Sequence, residues 1–481
     1  ASIDRDMTQG TLVHSGRALD MAIEGTGYFV LNDGEKDVFT RVGSFDVDSQ
    51  YYLVDPGTGY RVQRTGTEGV TEGFQSGASG AIRIPYDMAL PAQATETVRF
   101  GGNLSANVTQ ATTNLLTSGT AYTADSQTAG ADTLLADLDQ VVGLVAGDTI
   151  AITGKDADGT DVTGTFTYGS GAGQDGLTLG DLVQKVTDTF TGATASLVSG
   201  QVRLTDTAAG YSQTDLYLTY GGAGTFDLPS YFRHVTAGGQ EVKSTNIEVF
   251  DSQGVGRTLS AAFVRTDAPN TWDLVVTGLG DDVWFNSPDG RRISGITFNN
   301  DGTLAGMGGA VPDDQSIAVR FGTPTADVTT LQTNFGTVGE SDGLIQFGGP
   351  STAEAAGQDG YEAGYLSSLS VSRDGVLVGM FTNGVRRDVA ALEIATFQNP
   401  AGLASLGGAY FTPSGNSGDP VLSQALTGGA GAVSGGTLER SNVDTAQEFV
   451  NLIQAQNGFQ ANARTIRVTN AMLQELSNLI R

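Results

Sequence analysis

Apolar and polar residues alternate along most of the chain, and glycine, asparagine or aspartate interrupts the alternation at short intervals. The segment from Leu19 to Leu31 shows this pattern and stops at Asn32-Asp33-Gly34. A period of two residues predicts strands with one buried face. Asp-Gly pairs, which supply the positive φ that tight hairpins need, recur at 158–159, 289–290, 301–302 and 374–375. Antiparallel β-structure is therefore predicted on both sides of residues 107–226.

Residues 107–226 differ in composition from the rest of the chain and are rich in threonine, alanine, glycine and aspartate. Four apolar residues there have helical spacing, and the next four alternate as they do in strands. They are Leu179, Leu182, Val183 and Val186, followed by Ala195, Leu197, Val202 and Leu204. This segment is predicted to be a small inserted α+β domain.

The C-terminal segment predicts one long helix that begins at Ser441. Ser441 and Asp444 have the spacing of a capping box, in which the serine accepts the N3 amide and Asp444 favours the positive helix end. About forty residues follow without proline, which gives a rod of roughly 60 Å. Apolar residues recur at spacings of three and four, as in a coiled-coil seam. The candidate packing residues are Val443, Phe449, Leu452, Phe459, Ala463, Ile466, Leu473, Leu476 and Ile480.

Such a seam needs a partner, because an isolated helix gains most of its stability from packing. Gln456 and Asn470 interrupt the seam, and polar seam residues set register more often than they add stability. The partner is expected to be another helix of the same chain or a neighbouring subunit. The alternative is an ordinary core helix docked on the β-structure, although globular helices usually run for about 8–20 residues.

The charge and cysteine content of the chain limit the classes of partner and chemistry that it can have. The chain has a formal net charge of −28 and no cysteine, and its lysines are Lys36, Lys155, Lys185 and Lys243. This composition argues against nucleic acid and anionic membranes as partners, and it excludes disulfides and thiolate chemistry. The charges from Asp444 to Arg481 cancel, so the acidity lies outside the helix. We find neither an apolar run of transmembrane length nor a signal peptide.

Candidate catalytic and metal-binding motifs are weak. Ser341 lies in a G-x-S-x-G match, but both histidines, His14 and His234, precede it, and no helix is predicted to follow. A turn is expected there. The Gly-x-Gly at residues 24–29 lacks a third glycine and a following helix, so it too predicts a turn. Residues 155–161 look like a calcium loop but lack its glycine spacing, and a hairpin is expected. No catalytic, cofactor or metal site is assigned.

The predicted fold is mainly β and multidomain, with antiparallel β domains nested by insertion and a long C-terminal helix in a coiled-coil-like inner core. The expected domains are an inner β domain (1–92 with 345–436), an outer β domain (93–106 with 227–344), the inserted domain (107–226) and the core helix (437–481). On residue chemistry alone, structural assembly is favoured over catalysis.

Three stretches carry a family resemblance: "GTLVHSGRALDMAIEGTGYFVL" (10–31), residues 392–418, and "SNVDTAQEFVNLIQAQNGFQANARTI" (441–466). They resemble the shared framework of the bacterial flagellar rod and hook proteins, and they occur in the family's order. Residues 89–109 and 244–276 are similar to the outer domain of hook subunits, which favours the hook over the rod. The resemblance extends to both ends of the chain.

The resemblance implies a subunit that polymerises with copies of itself into a curved, flexible tube, which transmits torque from rod to filament. It implies a rod protein at the proximal end, a hook–filament junction protein at the distal end, and a hook cap and type III export apparatus during assembly. The expected location is extracellular, in the hook. The family's N-terminal helix is absent here, and the insertion at 107–226 is larger than the pattern needs.

Three alternatives remain at this point. One is another axial component of the flagellum, such as a hook-associated or distal rod protein. A second is an acidic secreted adhesin or carbohydrate-binding module, which would not need the terminal helix. The third is a secreted hydrolase that uses Ser341 as its nucleophile.

Overall fold

The computed structural model describes residues 7–77, 80–108, 110–229, 231–279, 283–285, 288–307, 316–323 and 326–479. The chain divides into two compact units. The first consists of Ala1–Leu90 with Gly364–Arg481, and the second consists of Pro91–Ala363. The second unit is thus inserted into the first, which is the nested arrangement that the sequence predicts.

The first unit begins with short strands separated by tight turns. They are β1 (Leu12–His14), β2 (Met21–Glu24), β3 (Tyr28–Asn32), β4 (Asp37–Thr40), β5 (Asp46–Val47), β6 (Leu53–Val54), β7 (Arg61–Val62), β8 (Arg64–Thr65) and β9 (Ala89–Leu90).

The described residues of the second unit form longer strands and one α-helix. Its elements are β10 (Thr97–Ser105), β11 (Leu115–Thr117), β12 (Thr123–Ala124), β13 (Gln127–Thr128), β14 (Val141–Val142), β15 (Thr149–Lys155), β16 (Asp161–Thr167), α1 (Leu179–Thr189), β17 (Ala193–Val198), β18 (Gln201–Asp206), β19 (Asp215–Gly221), β20 (Thr225–Phe226), β21 (Arg233–Thr236), β22 (Val242–Phe250), β23 (Gly256–Arg265), β24 (Thr271–Gly278), β25 (Val283–Phe285), β26 (Arg292–Phe298), β27 (Leu304–Met307), β28 (Ser316–Phe321), β29 (Val328–Asn334), β30 (Leu344–Phe347) and β31 (Glu354–Gln358).

The chain then returns to the first unit and ends in the long helix α2. The elements of this part are β32 (Gly364–Val371), β33 (Val376–Phe381), β34 (Arg386–Leu392), β35 (Ile394–Thr396), β36 (Ala404–Gly407), β37 (Tyr410–Thr412), β38 (Val421–Ser423), β39 (Ala432–Gly435), β40 (Thr437–Glu439) and α2 (Thr445–Leu479). Short 3-10 turns occupy Leu135–Asp137, Pro288–Arg291 and Pro400–Gly402. The mainly β fold with a long C-terminal helix is confirmed.

Two large sheets form most of the first unit, and the two-stranded sheets β1-β40 and β2-β39 accompany them. The order of the nine-stranded sheet is β36-β37-β4-β3-β7-β6-β5, with β35 paired to β3 and β38 paired to β35. A five-stranded sheet has the order β8-β34-β33-β32-β9. Apolar side chains from both halves of the chain form the common core, including Met21, Phe29, Leu31, Leu377 and Leu392. The halves of the first unit therefore depend on each other although 273 residues, Pro91–Ala363, separate them in sequence.

Among its described residues, the second unit holds two large hydrophobic cores and a third, smaller cluster that includes Val264 and Val275. In the first, β10 pairs in parallel with β29 and β30, and a five-stranded sheet has the order β22-β23-β24-β26-β27. Phe100, Phe263 and Trp272 lie in that core. The second core lies within the insertion, where α1 packs with the sheets β17-β18-β11-β21 and β16-β15-β19. The predicted α+β insertion therefore has its own hydrophobic core.

Strand pairing places the domain boundaries at slightly different residues from those that the sequence predicts. β21 pairs with β11, so the sheet of the insertion continues beyond residue 226. β30 and β31 pair with β10, so residues 345–363 lie in the second unit rather than with the first. Both differences arise because strand pairing joins segments that are far apart in sequence, and alternation within a strand does not reveal its partner.

Three of the four predicted Asp-Gly hairpin turns are confirmed, and the fourth is not. Gly159, Gly302 and Gly375 have φ values of +85°, +85° and +79°, and each lies in a turn between paired strands. Asp289-Gly290 lies instead in the 3-10 turn Pro288–Arg291, so the hairpin prediction is wrong there. An Asp-Gly pair favours a turn, but the neighbouring residues decide its type.

Candidate functional site

Helix α2 exposes large apolar side chains along its whole length. Phe449 and Phe459 are 68% and 76% exposed, and Leu452, Ile466, Leu473 and Leu476 are exposed as well. Of the other predicted packing residues, Val443 is exposed and precedes the helix, Ala463 is half-buried, and Ile480 lies outside the described residues. Soluble surfaces rarely expose apolar side chains in a continuous array, and such arrays mark interaction sites. The alternative of a helix docked on the β-structure is wrong for the described residues.

Four of the predicted residues form a single line on the helix. Leu452, Phe459, Ile466 and Leu473 follow one another at intervals of seven residues. Seven residues of an α-helix fall about 20° short of two full turns, so the line drifts slowly around the helix. Such a line is the signature of a left-handed supercoil between helices. We call these four residues the heptad line.

The sequence analysis missed further apolar residues of α2. Val450, Ile453, Val468 and Met472 are exposed to a similar degree, and none of them lies on the heptad line. Their spacings of three and four residues within each half of the helix are the signal that could have found them. The apolar surface of α2 is therefore wider than one seam.

The start of the helix differs from the sequence prediction. Helix α2 begins at Thr445, and the Asp444 carboxylate accepts from the amides of Ala446 (2.9 Å) and Gln447 (3.3 Å). Asp444 is therefore the N-cap. The Ser441 hydroxyl accepts from Val443 N (3.2 Å) and lies outside the helix. The Asn442 side chain donates to the Thr8 carbonyl (2.9 Å), and this bond holds the segment against the chain that precedes β1 instead of in a helical turn.

The segment before the helix is tied to the β-structure by an ion pair that the sequence did not reveal. Glu439 at the end of β40 accepts from Arg41 Nε (2.9 Å) and from the Gly10 amide (2.7 Å). The Arg41 guanidinium also donates to the carbonyls of Ile23 (3.2 Å) and Gly25 (3.0 Å). Both side chains are largely buried, so the pair is stronger than an exposed one. It fixes the base of the helix.

Backbone pairing reinforces this base. β1 pairs with β40 in antiparallel register, with Leu12 opposite Glu439 and His14 opposite Thr437. Gly10 packs so closely on the Arg440 carbonyl that any Cβ there would collide with it. The base of α2 is thus firmly held, while the helix itself is exposed.

The weak catalytic motifs prove to be turns. Ser341 lies in the turn between β29 and β30, where the Asp342 carboxylate accepts from the amide and hydroxyl of Thr337, both at 2.7 Å. A strand follows this turn, so the nucleophile elbow is excluded. Gly25 and Gly27 have φ values of +108° and +133° between β2 and β3, as a turn requires. Both turn predictions are confirmed.

The calcium-like loop is a hairpin between β15 and β16. Lys155 pairs with Asp161 (2.8 Å), and Asp156 accepts from the amides of Thr191 (2.9 Å) and Gly192 (3.1 Å). These carboxylates are thus engaged within the chain. Across the described residues, we find no group of three or more carboxylate, histidine or cysteine side chains that could hold a metal ion.

A cleft of about 520 Å³ lies within the second unit, lined by β15, β16 and β19 on one side and by β24 and β26 on the other. The buried side chain of Arg291 lines the cleft. Its Nη1 donates to Asp215 (2.8 Å) and to the Phe232 carbonyl (2.9 Å). His234 Nδ1 is 2.7 Å from Asn114 Oδ1, and burial, with Arg291 nearby, lowers the pKa of His234 well below its usual value. These polar groups are bonded within the chain, so we assign the cleft a structural role.

Three family models match the chain in order. "Flagellar hook protein FlgE/F/G D1 domain" matches residues 22–104, "Flagellar basal body protein FlaE D2 domain" matches 233–361, and "Flagellar basal body rod FlgEFG protein C-terminal" matches 434–479. The flagellar hook protein FlgE of Borreliella burgdorferi is 27% identical over 495 residues, covering 100% of this chain and 83% of the relative.

The flagellar hook protein FlgE of Treponema pallidum is 30% identical over 485 residues, covering 100% of this chain and 84% of the relative. The chain belongs to the flagellar hook protein FlgE family. Among solved structures, the Helicobacter pylori flagellar hook protein FlgE2 is 18% identical, with a TM-score of 0.43 over 89% of this chain and 100% of that one.

As a hook protein of the FlgE family, the chain is a structural subunit of the hook, an extracellular part of the flagellum. The family consists of structural proteins and not of enzymes, and it forms a polymer within the flagellum. The adhesin and hydrolase alternatives are therefore excluded. Within the described part of the hook protein, no helix combines the length and hydropathy of a membrane span.

Proposed function

We propose that helix α2 is the element through which copies of this chain pack into the wall of the hook. The observation that carries the proposal is the exposed heptad line on a helix whose base is firmly held. A helix of 35 residues is about 52 Å long at 1.5 Å per residue, long enough to contact several neighbouring helices. Burial of each large apolar side chain contributes about 1.5–3 kcal/mol to such packing.

In this proposal the polymer is a curved, flexible tube that transmits torque from rod to filament. The β domains, one in the first unit and two in the second, form layers outside the helix. A rod protein meets the proximal end, and a hook–filament junction protein meets the distal end. A hook cap and the type III export apparatus act during assembly. Contacts that do not close into a ring give an open helical polymer.

The test changes one residue of the heptad line to a charged residue. Ile466→Asp or Leu473→Asp should abolish hook polymer, because packing would bury an unpaired carboxylate, while the β units stay folded. The measurement is electron microscopy of hooks from cells that produce each variant, together with the circular dichroism of the purified, unpolymerised chain.

Gln460→Glu is the matched control. It adds the same charge to the same helix, but Gln460 is off the heptad line, and the new carboxylate would lie one turn before Arg464. It should leave the polymer intact. Hooks of normal length from Ile466→Asp or Leu473→Asp would refute the role of α2 in packing.

A further inference from the structure

An apolar cluster of small side chains lies where the insertion meets the five-stranded sheet β22-β23-β24-β26-β27, which we call the outer sheet. Its buried members are Ala237, Ala262, Val264 and Val275. The cleft of about 520 Å³ lies between the insertion and the same sheet. Apolar burial is non-directional, so a cluster of alanine and valine holds the insertion on the sheet without fixing the angle between them.

Arg291 connects the insertion to the outer sheet. Its Nη1 donates to Asp215 (2.8 Å) and to the Phe232 carbonyl (2.9 Å), both of which belong to the insertion. Its Nε and Nη2 donate to the Val276 carbonyl in β24, at 3.2 and 3.1 Å. The Arg291 side chain is 3% exposed. One buried, planar guanidinium is therefore bonded to the insertion and to the outer sheet at the same time.

Arg292, the next residue, makes a second connection. Its Nη1 donates to Asp273 in β24 (3.0 Å), and its Nη2 donates to the Ser212 carbonyl in the insertion (3.0 Å). The Tyr211 hydroxyl, also in the insertion, donates to the same oxygen of Asp273 (2.6 Å). The Asp273 side chain is buried. We call Arg291, Arg292, Asp215 and Asp273 the arginine bridge.

We propose that the arginine bridge sets the angle at which the insertion stands on the outer sheet, with Arg291 and Arg292 as positioning residues. Hydrogen bonds from a guanidinium are directional, because its five donors lie in one rigid plane. Each arginine donates from that plane to the insertion and to the sheet, so a rotation of the insertion breaks charged hydrogen bonds at both residues. The inference concerns the single chain and does not depend on the packing of α2.

The arginine bridge is expected to contribute direction more than stability. Burial of an ion pair costs desolvation free energy that can offset its attraction, and replacement of both partners is often nearly neutral. Removal of one partner alone is strongly destabilising, because the other charge stays buried and unpaired. A variant that replaces Arg291 and Asp215 together therefore separates the two effects. It should keep the fold and lose the fixed angle.

Spin labels on the unassembled chain test the angle, since the chain has no cysteine of its own. The labels are attached to Ser196→Cys in β17 of the insertion and to Ser260→Cys in β23 of the outer sheet, both of which are exposed positions. Pulsed electron paramagnetic resonance should give one narrow distribution of label distances. With Arg291→Met and Asp215→Asn added, the distribution should be about twice as broad, because motion between domains is the default where no directional contact opposes it.

Two controls separate direction from stability. Lys185→Met with Asp175→Asn removes an ion pair of the same 2.8 Å length that lies wholly within the insertion, and the width of the distribution should not change. Val264→Ala removes part of the apolar cluster. It should lower the urea midpoint of unfolding and leave the width unchanged, because it takes away contact and not direction.

An unchanged width in the Arg291 and Asp215 double variant would overturn the inference, and so would a broad distribution with the arginine bridge intact. Equal broadening in the Lys185 control or in Val264→Ala would overturn it as well. If circular dichroism shows that the double variant does not fold, Arg291→Lys replaces it. Lysine keeps a charge opposite Asp215 but has no plane of donors that also reaches Val276. The same broadening is expected there, and an unchanged width would again contradict the inference.

Discussion

Helices α1 and α2 have similar apolar spacing and opposite surroundings. In α1 the residues Leu179, Leu182 and Val186 are at most 1% exposed, and they pack against the sheets of the insertion. In α2 the apolar residues lie in solvent over 35 residues. A helix of 11 residues completes its packing within the chain, whereas the long one leaves its apolar surface exposed in the single chain.

The N-terminal caps of the two helices also differ. Thr178 and Asp181 form a full capping box at the start of α1, with Asp181 N donating to Thr178 Oγ1 (3.1 Å) and Thr178 N to Asp181 Oδ2 (2.9 Å). Helix α2 starts with the single cap Asp444. The short helix is therefore fixed locally from both ends of its first turn, while the first turn of α2 has one side-chain cap.

The largest effect is expected from a charge in α1. Leu182→Asp should lower the free energy of unfolding of the second unit by about 4 kcal/mol or more, since it removes a buried side chain and buries a carboxylate. Phe459→Asp in α2 should change stability by less than about 0.5 kcal/mol, because the site is exposed in the unassembled chain. Urea unfolding of that chain measures both by fluorescence, since Trp272 and Trp284 lie in the second unit, and by circular dichroism.

For hook assembly, we expect the substitution in α2 to have the larger effect. Phe459→Asp lies on the heptad line and should remove hook polymer although the chain stays folded. Leu182→Ala is the control for Leu182→Asp, and it should cost about 2–5 kcal/mol, from the lost contacts and the cavity alone. If Leu182→Asp and Phe459→Asp destabilise the chain equally, the contrast between the two helices is wrong.

Sequence periodicity predicted the local elements well. The helical spacing of Leu179, Leu182, Val183 and Val186 predicted α1, and the strands β17 and β18 followed as expected. What periodicity could not supply was the pairing of distant segments, such as β31 with β10 or β1 with β40. The Arg41–Glu439 ion pair was missed for that reason, since its partners are 398 positions apart.

The candidate site was predicted in part. The seam analysis found the heptad line, but it combined residues from both halves of α2 into one stripe. It did not include Val450, Ile453, Val468 and Met472, which are exposed on the same helix. The cap was placed at Ser441 because serine and aspartate are both good N-caps. The Asn442–Thr8 bond that keeps Ser441 out of the helix joins distant segments and has no local signal.

A smaller effect on stability is expected from a substitution of Asp206, which lies within the insertion. Its carboxylate is buried near the polar side chains of Ser212, Thr214 and Asn114, but among the described residues neither oxygen accepts a hydrogen bond of good geometry. Burial raises the pKa of Asp206 above its usual value. Stability from this group is therefore complete below its unfolded-state pKa of 3.8 and is lost as pH rises through the raised folded-state pKa. At pH 7, well above the unfolded-state pKa, the buried carboxyl group therefore destabilises the insertion.

Asp206→Asn should consequently stabilise the chain at pH 7, by about 1 kcal/mol on the scale of an unsatisfied buried polar group. The gain should shrink as pH falls and vanish below about pH 3.8, where both forms are neutral. Urea unfolding at a series of pH values measures this trend. Asp158→Asn, at an exposed turn of the same domain, is the control and should give no such gain. A gain that grew toward acid would contradict the assignment.

The smallest effect is expected at the start of α2. Asp444→Ala removes the acceptor of the Ala446 and Gln447 amides, and loss of an N-cap typically costs about 1 kcal/mol. In the unassembled chain this cost should appear as fraying of the first turn, because the residues of that turn are exposed. Hydrogen exchange of the amides at 446–448 should quicken about fivefold. Ser441→Ala should leave that exchange unchanged, since Ser441 lies outside the helix. If Ser441→Ala quickened the exchange and Asp444→Ala did not, the helix would begin where the sequence first placed it. The base of α2, anchored by Asn442 and Glu439, would then need to unwind from β1 to make room for the extra turn.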